Sequence, residues 1–155
     1  MVSHLGQTAL MMALVTLWLL AACATAGPDE SLFLDEGERG PALLAFYGDT
    51  TSVELPASAR VGEAVTIRFT SFGGGCIRSA STEAEVSGLS AEIRPYRLEP
   101  TKLPPNTACT SELRMDRHVV ELRFGHPGRA RVRIVGLARP GDQAFAIEKE
   151  LQVAP

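Results

Sequence analysis

Apolar and polar positions follow two different patterns along this chain, and the change between them divides it. Ala9 to Ala22 form one apolar run of 14 residues, softened only by Thr16. As a helix the run would span roughly 21 Å, short of a bilayer core of about 30 Å. That length suits the hydrophobic region of a secretory signal peptide better than a transmembrane helix. The run ends in small residues from Ala21 to Ala26, and Gly27-Pro28 then breaks any helix. Met1 to Thr8 carries neither Lys nor Arg, which departs from the usual basic start of a signal peptide.

From Pro41 onward the pattern is short and β-rich, punctuated by Gly, Pro and Asp. Strands are predicted at Ala42–Tyr47, Thr51–Leu55, Ala64–Phe72, Ser81–Gly88, Ala91–Leu98, Val119–Phe124, Arg129–Leu137 and Phe145–Val153. Turns are predicted at Gly48-Asp49, His126-Pro127-Gly128 and Pro140-Gly141-Asp142. Alternation is cleanest in three places. Val65, Ile67 and Phe69 oppose Thr66, Arg68 and Thr70. Val120, Leu122 and Phe124 oppose Glu121 and Arg123. Ala130, Val132 and Ile134 oppose Arg129, Arg131 and Arg133. One apolar and one wet face describe antiparallel sheets packed together. No segment shows a helical period over three turns. The expectation is an all-β antiparallel sandwich of about seven to eight strands.

Composition refines this outline. Without residues 1–22 the chain keeps 133 residues, enough for one domain with a core. Its net charge of −3 favours neither nucleic acid nor a polybasic membrane patch. The charge is uneven. Ala24 to Gly40 has a net of −4, from Asp29, Glu30, Asp35, Glu36 and Glu38 against Arg39, whereas the remainder has a net of +1. Residues 23–40 therefore read as an acidic tether and 41–155 as the domain. Leu32-Phe33-Leu34 within the tether would pack on the domain edge or dock on a partner.

Leu20-Ala21-Ala22-Cys23 resembles the bacterial lipobox. The resemblance implies a diacylglycerol thioether on Cys23, cleavage before it, and a lipid-anchored protein of the cell envelope. Ala24 in place of Asp leans towards the outer membrane of a Gram-negative cell. Two alternatives stay open: release as a soluble protein after the A-x-A site Ala24-Thr25-Ala26, and an uncleaved anchor. Within the body, Val61-Gly62-Glu63-Ala64-Val65-Thr66-Ile67 and Phe124-Gly125-His126-Pro127-Gly128-Arg129-Ala130-Arg131-Val132 resemble segments of bacterial immunoglobulin-like domains. They imply an immunoglobulin-like sandwich. With its Gly73-Gly74-Gly75-Cys76 loop, the whole is similar to small uncharacterised bacterial lipoproteins.

With Cys23 carrying lipid, Cys76 and Cys109 remain in an oxidising compartment, where an even pair most often forms a disulfide. It would close a loop of about 34 residues, contributing about 3–4 kcal/mol. Both cysteines fall in predicted loops, so the bridge would staple loops rather than core strands. The candidate binding surface is this end, with Gly73, Gly74, Gly75, Arg78, Asn106 and Arg114. Loops held by a rigid scaffold are where recognition concentrates.

No catalytic motif is present, and no cofactor is implied. Cys76, Cys109, His118 and His126 match no metal-ligand spacing, and both histidines read as surface residues. Gly88-Leu89-Ser90-Ala91-Glu92 lacks the second Gly of a nucleophile elbow. The Arg129, Arg131, Arg133 stripe faces Glu148 and Glu150 and is expected to form cross-strand pairs. The function expected is a non-enzymatic binding or structural module of the envelope, anchored in the membrane through Cys23, with a protein or glycan partner. The alternatives are a secreted metal-binding protein, an enzyme with an unrecognised site, and an assembly part whose sheet edge accepts another strand.

Overall fold

Alternation needs a partner surface, and the chain supplies it by curling one sheet onto itself. The computed structural model describes residues 37–103, 106 and 108–155. The leader, Cys23, the A-x-A site and the tether through Glu36 lie outside the described residues. Among those described there is no helix and there are eleven strands. They are β1 (Gly37–Pro41), β2 (Leu43–Phe46), β3 (Asp49–Thr50), β4 (Val53–Glu54), β5 (Ser58–Arg60), β6 (Ala64–Gly73), β7 (Arg78–Ser87), β8 (Ser90–Pro100), β9 (Arg114–Arg123), β10 (Gly128–Arg139) and β11 (Gln143–Ala154). The fold is all-β, and the single sheet curls into a half-barrel.

All eight predicted strands are recognisable, with displaced ends. Thr51–Leu55 is the most reduced, keeping only Val53–Glu54 as β4. Thr51 is buried, and its hydroxyl hydrogen-bonds to the Thr70 carbonyl and the Thr70 hydroxyl, which draws the chain out of the ladder between β3 and β4. Three further strands, β1, β3 and β5, were not predicted, and β3 takes Asp49 from the expected Gly48-Asp49 turn. β1 takes in Gly37–Gly40 of the stretch 23–40 read as tether, so these residues belong to the sheet. Its Arg39 crosses the Tyr96 ring at 3.7 Å and reaches Ser81 at 2.9 Å and Glu83 at 2.6 Å. That one side chain ties β1 over β8 to β7 and draws Glu83 below the usual carboxylate range.

The strand order runs β1-β8-β10-β2-β6-β4, with β7 beside β8, β9 beside β6 and β11 beside β10. Not every pair is antiparallel. β8 and β2 both pair with β10 in parallel, and β5 pairs with β11 in parallel. The chain leaves β8 at Pro41 and joins β10 and β6 as β2, crossing over Gly136. A Cβ there would lie 2.5 Å from the Ala42 carbonyl oxygen and 2.8 Å from Leu44, so glycine makes the crossing possible.

The core forms where β6 and β9 face β8, β10 and β11. Val65, Ile67, Phe69, Val120, Leu122, Ala130, Val132 and Ile134 are all buried, as their alternation requires. Leu44 from β2 closes one side of this cluster, and Ala59 from β5 packs against it.

Candidate functional site

Three loop boundaries meet at one end of the half-barrel. β6 ends at Gly73 opposite Arg114 of β9, and β7 begins at Arg78 opposite Leu98 of β8. Between them Cys76 and Cys109 are joined by a disulfide, with Cα atoms 5.1 Å apart. Neither cysteine lies within a strand, so the bridge staples loops.

The glycines let the two loops meet. Gly74 has φ of +126°, and a Cβ on it would collide with the Glu112 carbonyl oxygen. A Cβ on Gly75 would lie 2.8 Å from the Thr110 carbonyl oxygen. Both positions need the absent side chain before Cys76 can approach Cys109. The turn is held by hydrogen bonds between Gly74 and Ile77 in both directions.

The other candidate residues are arranged around this staple. Arg114, expected among the binding loops, is instead the first residue of β9. It donates to Asp116 at 2.8 Å and to the Ile77 carbonyl at 3.3 Å, so it supports the turn. The Asp116 carboxylate raises the Arg114 pKa further. Arg78 is exposed at the start of β7, and Asn106 is exposed with a left-handed φ of 64°.

The residues that sequence reasoning misplaced lie just inside. His118 was expected on the surface and is buried, 6% exposed, because it shares parity with Val120 and Leu122. It stacks on Phe69 with ring centroids 4.8 Å apart. One ring nitrogen lies 2.8 Å from the Ser71 hydroxyl and the other 2.8 Å from the Thr82 hydroxyl. His118 thus spans from β9 across β6 to β7. Burial lowers its pKa from the usual 6.5, with Asp116 opposing. His126 lies in the exposed turn after β9, as expected.

Arg97 likewise continues the buried parity of Ala91, Ile93 and Pro95 on β8. Its Nη2 meets Asp142 at 3.3 Å and Glu99 at 3.5 Å, while Nη1 is buried without a hydrogen-bond partner among the described residues. A hollow of about 410 Å³ opens beside it, lined by Glu38, Gly40, Glu99 and Thr101. Asp142 titrates below the usual range, held chiefly by its hydrogen bond from Arg139.

The outer arginine stripe is mostly neutralised. Arg129 reaches Glu150 at 3.7 Å, and Arg133 reaches Glu92 at 3.1 Å and Glu148 at 3.8 Å. Arg131 forms no ion pair among the described residues and lines a groove of about 350 Å³ with Ser87 and Ser90. Among the described residues, no three of His, Cys, Asp and Glu converge as metal ligands would. No protein family, no curated protein and no solved structure matches this chain.

Proposed function

We propose that this protein is a membrane-anchored lipoprotein of the bacterial envelope, held by lipid on Cys23, whose β-domain is a non-enzymatic binding or structural module. Its stapled loops form the recognition end. The disulfide carries this reading: two of the chain's three cysteines are bonded, as in exported proteins, leaving Cys23 for the anchor. Rigid loops at one end of a β-scaffold lose less entropy on binding than free ones. The body is proposed to be a variant immunoglobulin-like sandwich, with β6 and β9 in one layer and β8, β10 and β11 in the other. Its parallel β8–β10 pair sets it apart from the usual strand order.

Mass spectrometry of the mature protein tests the anchor: a diacylglyceryl group on an N-terminal Cys23 is expected, and an unmodified cysteine defeats it. Photo-crosslinkers at Arg78 and at His126 test the binding end in intact cells. Adducts from Arg78 alone are expected. Equal yields from both, or none, overturn the assignment.

A further inference from the structure

We infer that β9 is a self-association edge, pairing antiparallel with β9 of a second copy about a two-fold axis at Val119. β9 forms an unbroken ladder with β6 from Arg114 to Arg123, and its other edge pairs with no described strand. β7 runs close to the first half of β9, where Thr82 meets His118 and Arg114 meets the Ile77 carbonyl just ahead of β7, but no backbone hydrogen bond joins the two strands among the described residues, and Val119 beyond them stays exposed. The edge has no proline and no bulge, two of the devices against unwanted pairing, and its protection rests on charges alone.

Its outer face is unusually apolar for a free edge. Val119 is 64% exposed and Met115 51%, and Leu113, exposed to 50%, precedes the strand on the same parity. Arg117 and Glu121 share that face, two residues either side of Val119. Neither has an ion-pair partner among the described residues.

That symmetry identifies the occupant. An antiparallel pair centred on Val119 sets Val119 against its own counterpart, Arg117 against the second copy's Glu121, and Glu121 against its Arg117. Met115 then lies beside the aliphatic stem of the other Arg123. Directly opposed side chains in such a pair sit about 4.5–5.5 Å apart at Cβ, within reach of an ion pair. The surface is therefore complementary to itself, as an isologous interface must be. A parallel arrangement would oppose like charges.

Sedimentation equilibrium of the full chain in detergent, over a range of concentrations, tests this, with circular dichroism confirming that each variant folds. A monomer–dimer equilibrium is expected. Arg117→Glu and Glu121→Arg should each raise the dissociation constant by about tenfold or more, since each opposes like charges twice. The double variant R117E/E121R restores opposite pairs and should return to the parent value. A monomer at every concentration overturns the proposal and leaves the edge to a strand from another protein. Self-association indifferent to the single swaps, or not rescued by the double one, places the contact elsewhere and overturns it equally.

Discussion

At the scale of the residue, His118 is the side chain whose environment most changes its chemistry. Neutral, it meets two hydroxyls, Ser71 and Thr82, in a buried site. Its pKa is lowered in the folded protein, so the unfolded chain takes up a proton at higher pH than the native state does. The contribution of His118 is therefore fully present above the unfolded value near 6.5. It is lost as pH falls through that value towards the depressed native one. Urea unfolding at pH 7.5 and 5.5 should show a loss on the order of 1 kcal/mol at the lower pH, and His118→Gln should abolish most of that difference. An equal loss in the Gln variant would assign the effect to other groups. The position was legible in principle: His118 has the parity of Val120, and Arg97 that of Ile93. Polarity concealed both, because polar side chains are mostly exposed unless partners are supplied. Those partners, Ser71, Thr82 and Asp142, lie far away along the chain.

At the scale of the element, the disulfide and the glycines before it form one device. The loop it closes carries β7 and β8, which pair with each other and attach to the rest through β10 and β1. Cys76→Ala with Cys109→Ala should lower unfolding stability by about 3–4 kcal/mol, read from urea denaturation. Gly74→Ala, with the bridge still possible, should cost at least about 2 kcal/mol, because the added methyl meets backbone. An unchanged midpoint in either variant would refute that assignment. The long strands were legible because each contains a run of clean alternation, as at Val65–Thr70 in β6, Val120–Arg123 in β9 and Arg129–Ile134 in β10. β1, β3 and β5 were not, since Gly37-Glu38-Arg39-Gly40-Pro41, Asp49-Thr50 and Ser58-Ala59-Arg60 carry no hydrophobic rhythm. Their pairing is decided by distant partners, such as the Tyr96 ring beneath Arg39.

At the scale of the whole molecule, the all-β class followed from periodicity, whereas the order of strands did not. Alternation specifies which face is buried and is silent on the neighbour, so the parallel pairs with β10 had no local signal. The curl leaves protection uneven. β10 is flanked by strands on both sides, while β7 pairs only with β8 and is largely exposed. Hydrogen exchange should find β7 amides opening at least about a hundredfold more readily than those at the centre of β10. Uniform protection would mean that the far edge is covered.

The covalent link between Cys76 and Cys109 also bears on how the protein answers force. A pull between its ends can lengthen the chain before residue 76 and after residue 109, but the enclosed stretch adds nothing to the contour. β7 and β8 lie within that stretch, so they stay out of the load path even when the flanking polypeptide is drawn straight.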